Sequence, residues 1–384
     1  MKFNSIEEKY ALELSISVLK KETPPSAPDG ISFEKMFDFC EKHSITVLVY
    51  HALKKVPDIS IDDALNKKYN ESYLKAMGRE AKQEFEYRRI AKRFEDNNID
   101  YMPLKGCIMK YLYPLPFLRH MVDMDILIRE DDLTKAGNIM LEDGYSGTVE
   151  KTLHYHNSFT KKPIFDVELH RSLLADHYIH ISKFIDGVWD RAIKSENSNH
   201  LYEMTPEDFY IFMIIHLANH FIFGGVSLKL LFDIRVFLNA HPEIDMDYIN
   251  SQLDIVNLRL FVEKMKAITD LWFDGGESDE LYDEINITLM NCAGFGKEAL
   301  MFWNDENRDE YFLRLVFPTV ENMKKIFPVL EKAIILLPFC YIFRLFRAVF
   351  KRRDVIKDEN DRLKSVPKKD VNSKKKFFSD IFDK

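Results

Sequence analysis

Glycine is scarce in this chain, 13 in 384 residues, roughly half the ~7% usual in globular proteins. That excludes collagen-like repeats and argues against Gly-rich phosphate loops and turn-rich all-β architectures. Cysteine is scarcer still: Cys40, Cys107, Cys292 and Cys340 lie far apart and form no CxxC pair, so neither a disulfide framework nor a structural zinc site is suggested, and a reducing compartment fits. Long apolar runs are missing. The longest, Ala333 to Phe343, has 11 residues and contains Pro338, short of the ~20 needed to span a bilayer. The opening MKFNSIEEKYALELSISV alternates charged with apolar residues and has no continuous apolar segment of a secretory signal. A cytoplasmic protein without a transmembrane segment is expected.

Apolar residues make up 46% of the chain and charged ones 30%, a globular balance with length for two or three domains. The net charge is −8. The last 34 residues hold 12 Lys/Arg against 7 Asp/Glu, leaving that end at +5 and the remainder at −13. An acidic body is a poor surface for duplex nucleic acid. The basic end could touch RNA or acidic lipid, but a solvated, flexible tail over 354–384 is the simpler expectation.

Helical apolar spacing runs over 5–20 and 33–55, separated by ETPPSAPDG, whose prolines cannot continue a helix. From Ser72 to Phe94 the positions Leu74, Met77, Ala81, Phe85, Ile90 and Phe94 predict one long amphipathic helix with an apolar stripe to be packed. After Asn97 the pattern changes. DNNIDYMPL predicts a strand, KGCIMKYLY a short helix and MVDMDILI a second strand; EDDLTKAGNIMLEDG predicts a helix stopped by Gly144, and SGTVE, LHYHNSFTK and IFDVELHRSL have strand-like period. From Thr205-Pro206 onward helical spacing returns, to about Arg353. The expected fold is α+β: a helical region over 1–96, a small mixed-sheet unit over 97–195, a helical domain over 196–353 and the tail over 354–384.

Asp123 and Asp125 in MVDMDILI carry the chemistry. Side chains on a strand alternate, so both carboxylates leave one face while Val122, Met124 and Ile126 turn to the core. Two such anions about 5 Å apart repel by roughly 3 kcal/mol at an effective dielectric near 20, which calls for a counter-charge or a raised pKa; Mg²⁺ is the usual counter-charge where phosphates also bind. In FDVELHR, Asp166, Glu168 and His170 also share a face. If that strand lies beside the first, Glu168 or Asp166 completes a three-carboxylate cluster able to hold two metals and support nucleotidyl transfer. Taken alone, the DxD pair reads equally as solvated charges on an edge strand.

The company the pair keeps is more specific. PLKG at 103–106 resembles the phosphate-holding turn of DNA polymerase β-like nucleotidyltransferases, and MVDMDILI resembles their metal strand. LKGCIMKYLYPLPFLRHMVDMDILI is similar to the motif of a bacterial family of uncharacterised nucleotidyltransferases in Leu104, Lys105, Gly106, Tyr113, Pro114, Arg119, Asp123 and Asp125. The resemblance continues in DVELHRSL, with Glu168 as third metal ligand and His170 beside it, and in a helical segment carrying His216, His220, Gly224, Lys229 and Asp233; it covers roughly 35–350. It implies a polymerase β-like sheet, two Mg²⁺ on Asp123, Asp125 and Glu168, and an NTP donor contacted by Lys105, Gly106 and Arg119, with His170, Lys229 and Asp233 as further binding residues. The acceptor, a small molecule, saccharide, peptide or RNA, is left open. Lys105, Gly106 and Cys107 stand where the wider superfamily has Gly-Ser, so a weak or inactive nucleotide-binding module serving polysaccharide or peptide modification is the alternative.

Other residues carry open readings. His216 and His220 are four apart on a helix, with Leu217 where a zincin has glutamate, so they are a core-facing pair, a substrate contact or a zinc pair. His154 and His156 alternate on a strand, for packing or for metal. Lys229 and Asp233, four apart, would by themselves be a surface ion pair. The run from Phe327 to Arg353 packs as core or lies on a membrane surface.

Overall fold

The computed structural model describes residues 1–149, 156–162, 165–173, 187–223 and 225–292, and parts of 320–344 and 368–382. The chain forms two compact units, Met1–Gly294 and Phe295–Lys384. The described residues of the site lie in the first.

Three helices open the chain: α1 (Ile6–Leu19), α2 (Phe33–His43) and α3 (Thr46–Leu53). The predicted helix over 33–55 is thus two. Ser44 closes α2 in the left-handed region at φ 59° and Ile45 starts the next turn, with Lys42 in the last turn of α2, where the helix dipole favours positive charge. His43 ties this layer to the rest. The Leu228 backbone N–H donates to its Nδ1 (3.3 Å), and its Nε2–H donates to the Met290 carbonyl (2.9 Å).

α4 runs from Asp63 to Asp96, capped by the Asp62 carboxylate on the amides of Ala64 and Leu65. The predicted apolar stripe packs at its C-terminal end, where Ile90 and Phe94 are buried, but not before it: Leu74 is 57% exposed and Phe85 67%. The rest of the buried face holds Leu65, Tyr69, Tyr73, Gln83 and Glu86. Its polar members are satisfied, Gln83 by the carbonyls of Met121 and Val122 and Glu86 by Arg89 and Tyr145, which removes most of the penalty that makes buried polar groups rare.

The sheet follows: β1 (Tyr101–Pro103), β2 (Asp123–Ile128), β3 (Ser146–Gly147), β4 (His156–Lys161) and β5 (Phe165–His170), in spatial order β1-β2-β5-β4-β3. β2 and β5 are parallel and every other neighbouring pair is antiparallel, giving a mixed sheet within a mainly helical chain, the α+β class expected. Between β1 and β2 lies the short helix α5 (Gly106–Met109); after β2 comes α6 (Leu133–Glu142), ended at Gly144 with φ 83°. Alternation sorts the two faces. Met124, Ile126 and Ile128 of β2 and Val167 and Leu169 of β5 join Ile90 and Phe94 of α4 and Ile139 and Met140 of α6 in one core. Val122, expected in that core, is 52% exposed because the strand begins one residue later.

Beyond α7 (Val188–Arg191), helix α8 (Pro206–Phe223) begins with Thr205 Oγ1 accepting from the Asp208 amide at 3.1 Å and proline at its first position, as predicted. α9 (Leu228–Ala240), α10 (Met246–Ile255), α11 (Arg259–Asp274) and α12 (Glu280–Met290) complete the unit. In the second unit, Met323, Leu330 and Cys340 form a small core. Lys368–Phe382 is helical, with Phe377, Phe378, Ile381 and Phe382 buried, where the sequence leads one to expect a flexible tail. No helix among the described residues is long and apolar enough to cross a membrane. The parts of the predicted helical stretch over 293–319 and 345–353 lie outside the described residues.

Candidate active site

The parallel ladder pairs Asp123 with Asp166 and Asp125 with Glu168. Because the side-chain period is two, Asp123, Asp125 and Glu168 leave the face opposite the core, and their ligand atoms lie within 4.8 Å of one another. Glu168 is therefore the third carboxylate. Asp166, the other residue considered, is exposed and accepts from Thr160 Oγ1 at 2.8 Å instead.

Neighbours divide the charges unequally. Asp125 Oδ1 accepts from Lys105 Nζ and from His170 Nε2, each at 2.8 Å. Burial opposes its charged form, but these two donors outweigh burial and hold the carboxyl far below the usual range. Asp123 has no paired cation among the described residues; burial and then the charge of Asp125 raise its pKa. Glu168 is lowered by its hydrogen bond from His170, whose Nε2 is 3.4 Å from Oε2, while His156 Nε2 stands 3.5 Å from Oε1. His170 is raised: burial works against the imidazolium, and Asp125 and Glu168 prevail. His156, Glu168 and His170 also form a group whose ligand atoms lie within 4.8 Å of one another; His154 lies outside the described residues.

Lys105 occupies the turn from β1 into α5 at φ 45° and ψ −116°, a conformation costing a non-glycine residue about 1–3 kcal/mol and characteristic of functional turns. The turn is fastened on both sides: the Leu104 N–H donates to the Asp125 carbonyl (2.9 Å) and the Met109 N–H to the Lys105 carbonyl (3.0 Å). Gly106 is needed for close approach, since a Cβ there would strike Arg119 Nη1 and lie 2.8 Å from Met121 Sδ. Cys107 is buried, its thiol pushed up to about 12 by burial and by Asp125.

Arg119 and Asp233 form a buried pair joining the loop before β2 to α9, with Arg119 Nη2 at 2.7 Å from Oδ2 and Tyr113 OH donating to Oδ1 at 2.8 Å. Asp233 thus faces Arg119, and the surface pair with Lys229 suggested by their spacing does not form. Lys229 Nζ donates to the His120 carbonyl (3.1 Å), its pKa brought down to about 8 by burial and by Arg119. These groups line one cleft of about 360 Å³, bounded by Lys105, Gly106, Arg119, Asp123 and Asp125 on the sheet side and by α8 and α9 on the other. His216 and His220, 4.6 Å apart ring to ring and edge-on, open into it. Burial and the charge of Lys105 lower both imidazoles and keep them neutral. Gly224 lies outside the described residues. Ser227 and Cys292 also line the cleft, and nothing in the sequence singles them out. Gln83 stands outside it and holds the loop before Asp123 through the Met121 and Val122 carbonyls; a glutamine among charged neighbours on a long helix carries no signal until its carbonyl partners are known.

Compared with known families, residues 29–274 match the model of a family described as uncharacterised nucleotidyltransferase. The chain belongs to this family. The matched range takes in the five-stranded sheet, the cleft residues other than Cys292 and the helices α8 to α11, so the three carboxylates lie within the nucleotidyltransferase-family region. No curated protein matches the chain.

Proposed function

We propose that the chain transfers a nucleoside monophosphate from an NTP to an acceptor, using two Mg²⁺ held by Asp123, Asp125 and Glu168. The observation that carries the reading is the parallel register that sets Asp125 beside Glu168, gathering three carboxylates around one point. The donor set fits: all three are hard oxygen ligands, and Asp123 is a half-buried carboxylate without a paired cation among the described residues. Bound there, the metals would supply charge neutralisation for the triphosphate and activation of the attacking oxygen.

The chain's own groups do the rest. Lys105 and Lys229 are the ammonium groups that meet the triphosphate in the cleft. Arg119, engaged with Asp233, lends positive charge to the floor and keeps its position. His170 holds Asp125 and Glu168 at fixed spacing. His216 and His220, neutral at pH 7, are placed to contact the acceptor or take its proton.

The test is pyrophosphate release from each NTP with Mg²⁺ and a panel of acceptors. Asp123→Ala should abolish it while leaving the fold intact; full residual release would reject the assignment. One observation favours the second reading, a nucleotide-binding module without turnover: the turn offers the buried thiol of Cys107 in place of a serine hydroxyl. Calorimetric binding of NTP with no pyrophosphate from any acceptor would decide for it.

A further inference from the structure

Three cationic side chains line the cleft, and they are committed differently. Arg119 is spent on Asp233 and Lys229 on a carbonyl. Lys105 alone of the three bonds a carboxylate assigned to metal, and it bonds the same Asp125 oxygen that His170 uses. Its backbone cannot drift, because the positive-φ turn is pinned to the Asp125 carbonyl on one side and to α5 on the other. Its side chain can move: a flexible four-carbon stem ends in three rotatable donors, and it is 21% exposed toward the cleft.

We propose that Lys105 is the resident cation of the carboxylate centre, occupying the charge position at Asp125 until a triphosphate draws its ammonium away, so that divalent metal and nucleotide load together rather than in sequence. This rests on the carboxylates being the metal ligands. A cation arriving at Asp125 alone meets a fixed like charge in a half-buried site, where repulsion is weakly screened. A triphosphate supplies new acceptors for the ammonium and leaves the carboxylate to the metal. Lys105 is thereby a positioning residue for metal uptake as well as a phosphate contact, and the protein avoids holding a charged metal centre with no substrate present.

The experiment is titration of the full chain with Mn²⁺, read by the paramagnetic resonance of the free ion, with and without a non-hydrolysable α,β-methylene triphosphate. Wild type should take up Mn²⁺ weakly alone and about tenfold or more tightly with the analogue, the scale set by removing one nearby unit charge. Lys105→Gly, which suits the positive φ, should bind Mn²⁺ alone about tenfold more tightly than wild type does alone, and, after subtraction of the Mn²⁺–analogue complex measured without protein, the analogue should add less than it adds to wild type. Lys105→Arg keeps the charge and should behave as wild type. If Lys105→Gly alone binds Mn²⁺ no better than wild type, the coupling is overturned. Asp123→Asn in the Lys105→Gly background separates the two failures: loss of Mn²⁺ uptake there keeps the carboxylates as ligands even when the coupling fails, whereas unchanged uptake overturns the coupling and the metal assignment together.

Discussion

Asp123 and Asp125 are the same residue type two positions apart, yet their surroundings push their acidities in opposite directions. Asp125 is held charged by Lys105 and His170, and Asp123 is raised by burial and by its neighbour. Removing the charge at Asp123 relieves an unfavourable burial, so Asp123→Asn should melt at the same temperature as wild type or slightly higher while losing Mg²⁺-dependent pyrophosphate release; differential scanning calorimetry beside the activity assay checks both. Gly106 is expected to tolerate nothing larger. Gly106→Ala puts a methyl against Arg119 and Met121 and should cost about 1–3 kcal/mol in urea unfolding, the usual range for overpacking a closed site. At this scale the sequence was informative: Asp123, Asp125, Lys105 and Gly106 line one cleft and Glu168 stands beside Asp125, because period two and a strand-to-helix turn are local properties. Arg119 was legible as a charge but not as the partner of Asp233, since nothing in the sequence reports a contact between residues 114 positions apart.

Among the elements, the Arg119–Asp233 pair fixes α9 to the loop entering β2. Truncating one member strands the other charge in a buried place, so Arg119→Ala should lose about 3–5 kcal/mol by chemical denaturation. The double variant Arg119→Met with Asp233→Leu should recover much of that loss if the pair's role is neutralisation, and a double variant as unstable as the single one would show that the hydrogen bond from Tyr113 matters more. α4 illustrates the limit of reading periodicity. Leu74, Met77 and Phe85 have helical spacing but face solvent, and the inward face spends Gln83 on two carbonyls just before Asp123. Hydrophobic spacing finds the helix and not the side that packs, because hydrogen-bonded polar groups can be buried at little net cost.

Across the whole first unit, the layers are joined by neutral histidines in buried places. Burial, with charge from Lys42 at His43 and from Lys229 at His120, holds both rings at a pKa of about 4. At His43 the Leu228 amide requires an unprotonated Nδ1. A folded pKa below the unfolded value near 6.5 means that stability is complete above pH 6.5 and is lost as acidification proceeds toward pH 4, by up to ~3 kcal/mol per ring. Urea unfolding at pH 7, 6 and 5 should show that slope, and His43→Gln should flatten it. The α+β class and the helical flanks were legible in composition and period. Strand order was not, and neither was the helix over 368–382, whose buried phenylalanines sit in a Lys-rich stretch that reads as solvated.

The ladder between β2 and β5 has one more implication. Strand β5 offers three polar side chains on one face, Asp166, Glu168 and His170, and only the phase of the backbone zipper selects which stands next to Asp125. A shift of two residues would exchange glutamate for aspartate or imidazole with no change in sequence and no apolar residue turned outward. The bond from His170 of β5 to Asp125 of β2 acts as a detent against that slip. Which side chain completes the carboxylate cluster is thus written in the registration of two strands rather than in the composition of either.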